Sequence, residues 1–275
     1  MKNTFNQLVE DFGNEWTEYD YSKTNKENEY LFKKYFDIFP FKKFNLKKFI
    51  CLDIGSGSGR WAKILSNKVK HLTLLDPSIK AIKVSKKNLF KKKNVSFVNK
   101  SVGDMNFKNN KFDFIYSLGV LHHIPDLDSA LLEINKILKK NRPFLLYLYY
   151  NMDNKPYYYR LIWKVSEIFR YFISKLPFKI KKFFCLFIAI TIYFPLANIS
   201  KLIKFLGFNN ELLPLGQYYD KSFYVMKTDA LDRFGTIYEK RYSKHQIKNI
   251  LIKSGFKNIR FSKKDPYWHV ISYKK

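Results

Sequence analysis

A glycine-rich stretch near the start of the chain could bring a backbone very close to a ligand. The segment CLDIGSGSGRW at residues 51–61 passes from apolar residues through Asp53 into three alternating glycines, Gly55, Gly57 and Gly59. Without side chains, such a loop lets backbone N–H groups face a bound molecule. A helix that begins directly after the loop would add a favourable field for a negative group. The loop therefore predicts a site for a ligand with a phosphate or a carboxylate.

A second acid narrows the choice of ligand. Asp76 ends the next apolar segment, 17 residues after Gly59. In a doubly wound sheet, an acid at this place accepts hydrogen bonds from ribose hydroxyls. The third glycine of the nicotinamide fingerprint, counted from Gly55, is replaced by Arg60, and no Gly-Lys-Ser/Thr follows as in a P-loop. The residues thus favour a ribose-containing cofactor other than a nicotinamide dinucleotide.

Two adjacent histidines are candidates for acid–base chemistry. His122 and His123 follow the fourth predicted strand, at the carboxyl edge where open α/β sheets bind ligands. Histidine titrates near neutral pH, so either could remove a proton from an acceptor hydroxyl. Alternatively, one supports the loop through backbone contacts. We favour His123 over His122 as the base, and no ligand cluster accompanies the pair, which argues against a metal site.

Alternating strands and helices position these residues in an α/β architecture. The pattern predicts a parallel, doubly wound sheet, with Ser78 capping the helix after the second strand. Strands are expected at 48–54, 71–76, 94–99, 112–117 and 143–150. Near the end, Ser243 and Gln246 form a capping box and Gly255 ends that helix. Two further strands, 257–262 and 267–273 around Asp265–Pro266, predict an edge hairpin.

The composition divides the chain into four segments. We expect a helical cap at 1–44, the cofactor-binding core at 45–150, an aromatic and basic helical insertion at 151–235, and a helix with a strand hairpin at 236–275 that completes the core. The two cysteines, Cys51 and Cys185, form no CxxC pair, so neither a disulfide framework nor a zinc knuckle is expected.

Four motifs within residues 45–150 resemble those of class I S-adenosylmethionine (SAM)-dependent methyltransferases. They are 52-LDIGSGSGR-60, 74-LLDPS-78, 102-VGDM-105 and 112-FDFIYSLGVLHHIPD-126. The resemblance implies a seven-stranded Rossmann-like sheet with one reversed edge strand, and SAM as the cofactor with S-adenosylhomocysteine as the product. The chain departs from the family at 139-KKNRPF-144, where a Pro-Gly-Gly turn is usual.

The resemblance also assigns an expected contact to each motif residue. The loop Gly55–Gly59, with Ser56 and Gly57, would pack against the methionyl part of SAM, Asp76 would hold the ribose hydroxyls, Asp104 would reach the adenine amine beside the Met105 backbone, and residues 117–119, with Ser117 and Leu118, would line the sulfonium and methyl. Asp53 and Pro77 are further expected cofactor-binding residues. The segment 12-FGNEWTEY-19 resembles one in bacterial methyltransferases of cell-surface sugar and lipid pathways. Trp16 could close over the cofactor with Phe12 and Tyr21, or simply anchor a docked N-terminal helix.

The net charge of +28 suggests a polyanionic partner, but its composition argues against nucleic acid. Of the 51 basic residues, 44 are Lys and only seven are Arg, the better residue for phosphate and base contacts. The segment 117-SLGV-120 also replaces the Asn/Asp-Pro-Pro-Tyr turn common in enzymes that methylate base nitrogens. We therefore expect an oxygen or carbon acceptor, with an anionic membrane surface as a further partner to consider.

The insertion contains an uncharged stretch, 183–200, flanked by lysines. A single membrane span would separate two halves of one sheet, so we expect either a helical lid or a monotopic membrane contact. Both imply a bulky or lipid-linked acceptor, such as a surface-polysaccharide sugar, a lipid-linked precursor or a quinone-like molecule. The N-terminus lacks an apolar signal region, so we expect a cytoplasmic enzyme, or a peripheral one at the inner membrane face. The alternatives are an RNA methyltransferase and a non-catalytic, membrane-associated SAM-binding protein.

Overall fold

The protein is described by a computed structural model that covers residues 2–153, 155–210, 213–264 and 268–275. It contains two compact units. The sheet unit comprises Met1–Asn151 and Lys240–Lys275, and the helical unit comprises Met152–Glu239. The N-terminal segment belongs to the sheet unit, because the Asn88 amide donates to the Asp20 carbonyl and Asp37 bonds His269 at 2.6 Å.

The sheet unit is built on seven strands in the order β3-β2-β1-β4-β5-β7-β6. Neighbours among β1 to β5 run parallel, whereas β7 pairs antiparallel with both β5 and β6. The strands are β1 Ile50–Ile54, β2 His71–Leu75, β3 Val95–Val98, β4 Phe114–Leu118, β5 Pro143–Tyr147, β6 Phe256–Phe261 and β7 His269–Lys274. This α/β, doubly wound seven-stranded sheet confirms the predicted fold class. The expected place of the reversed strand is wrong, because β7 lies between β5 and β6 and the edge strand is β6.

Besides short 3-10 turns, six α-helices accompany this sheet among the described residues. They are α1 Lys2–Glu18, α2 Asn25–Tyr35, α3 Arg60–Leu65, α4 Ile79–Asn88, α5 Leu127–Ile137 and α10 Lys244–Lys253. The capping box of Ser243 and Gln246 is present, and Ser78 caps α4 by accepting from the Ala81 N–H at 3.4 Å. Buried Leu131 of α5 and Leu251 of α10 join one apolar core with the strands.

The fifth strand is shorter than the apolar run 143–150 predicts. It ends at Tyr147, where β4 pairs through Leu118 and β7 through His269, so later residues have no strand on either side to pair with. The chain therefore leaves the sheet at the carboxyl edge. The predicted turn at Asp265–Pro266 lies outside the described residues.

The helical unit contains α6 Tyr157–Ile173, α7 Phe178–Ile188, α8 Phe194–Phe205 and α9 Phe223–Gly235. A π-helical turn at Ala189–Tyr193 joins α7 to α8 in one continuous helix. The unit extends four residues beyond the predicted boundary at 235, because Thr236 bonds the Asp232 carbonyl at 2.6 Å and Arg233 pairs with Glu239 at 3.8 Å. Its role as a lid stays a prediction.

The turn that departs from the family pattern contains a residue with glycine-like geometry. Asn141 is exposed and has a φ of +58°, in the left-handed region. Asparagine tolerates this conformation better than other residues with a Cβ. On either side, Lys139 and Arg142 approach the Asp113 carboxylate at 2.9 Å and 3.5 Å. The chain thus makes this turn without a Pro-Gly-Gly sequence.

The conformation of Asn141 makes a stability prediction. Asn141→Val should lower the free energy of unfolding by about 1–2 kcal/mol, because a branched side chain disfavours the left-handed region. Asn141→Gly should leave it unchanged or slightly raised. Urea unfolding of the three proteins measures the difference, and equal loss in both variants would show that the Asn141 side chain, not the backbone, stabilises the turn.

Candidate functional site

The glycine loop follows β1 and leads directly into α3. Gly55, Gly57 and Gly59 all have positive φ angles, of 73°, 52° and 76°. Two of them also have no room for a side chain. A Cβ on Gly55 would lie 2.4 Å from Val120, and one on Gly57 would lie 2.7 Å from the Trp16 indole. The alternating glycines are therefore required both by backbone conformation and by close packing.

Asp76 holds this loop in place. Its buried carboxylate accepts a hydrogen bond from the Gly57 N–H at 2.9 Å and another from the Ser78 N–H at 2.9 Å. It thereby links the loop after β1 to the N-terminus of α4. Burial raises the pKa of Asp76 to about 6, although both N–H donors oppose the rise. The sequence predicted a ribose contact for Asp76 but did not predict that it holds the loop. The two roles are compatible, because each carboxylate oxygen can accept more than one hydrogen bond.

Asp53 lies deeper than Asp76, inside β1. Burial raises its pKa to about 8, and the neighbouring Asp76 adds to the rise, while the Tyr116 hydroxyl and Arg60 act against it. At neutral pH the Asp53 carboxyl is thus largely protonated in the free protein. A cationic group bound beside the loop would favour its ionised form.

The N-terminal helix packs against the loop. Trp16 of α1 contacts Gly57, and the Arg60 guanidinium lies 5.7 Å from the Trp16 ring and 4.6 Å from the Tyr21 ring. Lys80 of α4 anchors α1 through a 2.7 Å hydrogen bond to Asn14 and an ion pair with Glu10. Trp16 therefore anchors the docked helix and forms a wall of the loop, and its closure over the cofactor stays a prediction.

The residues predicted to contact adenine and ribose lie at the neighbouring strand ends. Asp104 is exposed in a short turn after β3 and accepts from the Ser101 hydroxyl at 2.5 Å, and Met105 beside it is buried. Pro77 follows Asp76, and its carbonyl accepts from Asn99 at 2.8 Å. Asn99, which no motif identified, also bonds the Asp76 carbonyl and so ties the ends of β2 and β3 together.

Ser117 and Leu118 end the central strand β4. The Ser117 hydroxyl is fully buried and donates to the Ile54 carbonyl at 3.1 Å, so its side chain links β4 to β1. Only its backbone is available for the predicted contact with the sulfonium region. Leu118 is also buried, next to Gly119 with a φ of +74°.

Both histidines are buried in the turn Leu121–His123, at the end of β4. The His122 ring stacks on Tyr149 at 3.8 Å, and its pKa lies well below the usual value because of burial, with His123 and Arg241 adding to the effect. His122 is thus neutral at pH 7 and serves as a packing residue. The His123 ring faces Phe12 of α1, 4.9 Å away, and so lies beside the helix that packs on the loop.

The loop also presents polar atoms suited to a ligand. Within the described residues, the buried hydroxyls of Ser56 and Ser58 have no hydrogen-bond partner. Buried hydroxyls are normally paired, so their presence in the glycine loop fits a site completed by a polar molecule. No group of three or more His, Cys, Asp or Glu residues in this part of the chain could hold a metal ion.

Comparison with known proteins identifies the central region. A family model described as Methyltransferase domain matches residues 52–146. The tRNA U34 carboxymethyltransferase of Aliarcobacter butzleri is 38% identical over 85 residues, which are 30% of this chain and 28% of that protein. The demethylmenaquinone methyltransferase of Staphylococcus aureus strain JH9 is 32% identical over 91 residues, or 32% of this chain and 38% of that one. The chain thus matches well under half the length of these relatives.

A solved structure shares the fold over a longer stretch. A candidate methyltransferase from Bacillus halodurans C-125 superposes with a TM-score of 0.50 at 15% identity, covering 83% of this chain and 69% of that chain. At this identity the similarity shows the fold alone.

The loop-holding role of Asp76 can be tested by Asp76→Asn. An amide would place an NH2 group against one of the two backbone N–H donors, so we expect the free energy of unfolding to fall by about 1–3 kcal/mol. Calorimetric titration should show SAM binding weakened at least about tenfold, because a loss of about 1.4 kcal/mol in binding free energy raises the Kd tenfold. The matched control is Asp126→Asn. Asp126 is the exposed N-cap of α5, a position where Asp and Asn stabilise a helix equally well. Unchanged SAM affinity in Asp76→Asn would contradict the assignment.

The raised pKa of Asp53 predicts a pH dependence of stability. A carboxyl whose pKa is higher in the folded protein than in the unfolded chain contributes stability that is fully present below the unfolded pKa of 3.8. This contribution is lost as the pH rises toward the folded pKa of about 8. Between pH 7 and 8, above the pKa of about 6 at which Asp76 titrates, Asp53 should lower the free energy of unfolding by up to about 1.4 kcal/mol per pH unit. Asp53→Asn should remove this slope. Parallel slopes in the two proteins would show that Asp53 ionises normally.

Proposed function

We propose that this chain is a class I SAM-dependent methyltransferase that moves a methyl group to a hydroxyl oxygen or carbon of a bulky sugar, lipid-linked or quinone-like acceptor, which its fold and its matched domain support. The observation that carries the proposal is the glycine loop held by Asp76, with a second buried acid and a buried histidine pair at the same carboxyl edge. SAM supplies an electrophilic methyl group on a positively charged sulfur.

The residues around the loop suit the two ends of SAM. Asp53, with the loop Gly55–Gly59, would receive the methionyl end, whose ammonium group would draw the Asp53 carboxyl into its ionised form. Asp76 would accept from the ribose hydroxyls, and exposed Asp104 from the adenine amine. Trp16 would exclude water from the loop, because its indole already packs on Gly57.

His123 is the group we assign as general base. It would take the proton from an acceptor hydroxyl as the new bond to carbon forms, and the tilted His122 ring, whose centroid lies 3.9 Å away, would hold it in place. His122 is less suited to this role because its pKa is lowered and its ring is fully buried. Transfer to a carbon acceptor would use the same residue to remove the proton from that carbon or its neighbouring hydroxyl.

The acceptor class rests on two observations. The chain leaves β5 at the carboxyl edge and enters a helical unit rich in apolar side chains, which supports an apolar or lipid-linked acceptor. The similarity to demethylmenaquinone methyltransferase supports a quinone-like one. An RNA acceptor is the second candidate, favoured by the net charge of +28 and by the similarity to a tRNA carboxymethyltransferase. The scarcity of Arg weighs against it.

Methyl-labelled SAM, incubated with the protein and separate lipid, quinone, sugar and RNA fractions, tests the proposal. We expect label in the lipid, quinone or sugar fraction. His123→Asn should lower kcat by about 10²–10⁴-fold while SAM binds with unchanged affinity, and His122→Asn should mainly lower stability. Label in RNA alone would support the second candidate. Transfer to no fraction, despite SAM binding, would show a non-catalytic SAM-binding protein.

A further inference from the structure

The helical unit exposes large apolar side chains along α6. They recur every three or four positions and form a stripe across about 120° of the helix, at about 100° per residue. Six members, each between 48% and 64% exposed, are Leu161, Ile162, Val165, Ile168, Phe169 and Phe172. In a water-soluble bundle, a stripe of this kind faces the core. Here it faces outward.

The inner face of α6 carries polar contacts instead. Glu167 pairs with Arg170 at 3.0 Å and with Arg233 of α9. Arg233 also donates to the Ser166 hydroxyl at 3.0 Å, and Arg170 donates to the Thr236 carbonyl at 3.0 Å. Ion pairs and hydrogen bonds therefore link α6 to α9. Two apolar side chains of α6, Tyr159 and Ile173, are buried, while the stripe of large apolar side chains remains exposed. This arrangement is the reverse of that in an ordinary soluble helix pair.

The long helix Phe178–Phe205 repeats the reversed pattern. Its buried stripe consists of mostly small or polar residues, namely Lys181, Cys185, Ala189, Tyr193, Ala197 and Ser200. Its large apolar residues face outward, including Phe183 at 65%, Phe187 at 58% and Leu202 at 57% exposed. Small residues inside and large apolar residues outside are typical of helices that pack within lipid.

We propose that this exposed apolar face of α6 and Phe178–Phe205 is a membrane-docking surface for a bilayer that contains anionic lipids. Residues 155–208 contain ten Lys or Arg and one acid, Glu167, which already pairs within the unit. Arg160, Lys164 and Lys201 are exposed on the same two helices. Basic residues around an apolar face match anionic head groups above acyl chains. The same charge makes two copies of this surface repel each other, which favours a bilayer over self-association.

The surface lies on the bilayer and does not cross it. The helical unit is inserted between β5 and β7, which pair in one sheet, so the chain enters and leaves it on one side of the membrane. A single crossing is therefore excluded, although the helix Phe178–Phe205, with 28 residues, is long and apolar enough by composition. Its apolar face would enter the interface to a depth of about 5–10 Å, as an interfacial helix does.

Vesicle flotation of the full chain tests this surface without requiring methyl transfer. The probes are vesicles of phosphatidylcholine alone and of phosphatidylcholine mixed with phosphatidylglycerol. We expect flotation with the mixed vesicles, and binding weaker by at least about tenfold with phosphatidylcholine alone. Ile168→Glu with Phe172→Glu should abolish flotation. Phe90→Glu, at a side chain of the sheet unit that is 77% exposed, is the matched control and should float like the unmodified protein.

A second pair of substitutions tests the surface if the variant Ile168→Glu with Phe172→Glu misfolds. Lys164→Glu with Lys201→Glu alters exposed positions only and should remove the preference for anionic vesicles. SAM titration of every variant verifies that the sheet unit is intact. The proposal is overturned if the unmodified protein floats with neither vesicle, or if Phe90→Glu loses binding equally. It is also overturned if sedimentation shows a dimer that Ile168→Glu with Phe172→Glu converts to a monomer.

Discussion

The hydrogen bond from the Gly57 N–H to the buried Asp76 carboxylate is the constraint on which the site depends. It fixes the loop after β1 relative to the start of α4, where Ser78 donates to the same carboxylate. With the loop fixed, Trp16 can pack on Gly57 and bring α1 against the carboxyl edge of the sheet. The same helix brings Phe12 to His123. One buried acid thus organises the loop, the N-terminal helix and the candidate base.

Much of this arrangement could be predicted from local patterns in the sequence. Alternating apolar segments predicted the sheet, and the four motifs predicted its seven strands and the positions of Asp53, Asp76 and Asp104. The place of the reversed strand inside the sheet was not predicted. The double use of Asp76 could not be predicted, because spacing shows where a side chain stands and not which backbone groups it accepts from. The early end of β5 depends on where its neighbouring strands end, which local patterns do not show. The positive φ of Asn141, which lets it stand where the family usually has a glycine, is also not visible in the composition.

The helical unit departs from the usual relation between pattern and burial. The sequence showed an aromatic and basic segment, and an apolar stripe on such a helix is ordinarily expected to face the core. In the structure the stripe of α6 faces outward, and Glu167, Arg170 and Arg233 form polar contacts on its inner side. This outward-facing stripe also suggests a role for some of the many lysines. Around residues 155–208 the positive charge borders apolar surface, whereas elsewhere it is spread over an ordinary soluble face.

The central claim is that the glycine loop and its acids form a SAM site. Calorimetric titration of the full chain with SAM, S-adenosylhomocysteine and NAD+ tests it most directly. We expect SAM and S-adenosylhomocysteine to bind with one molecule per chain and NAD+ not to bind, because Arg60 stands where the nicotinamide fingerprint needs a glycine. Binding of NAD+ at this site, or no binding of SAM by the folded protein, would show that the loop is not a SAM site.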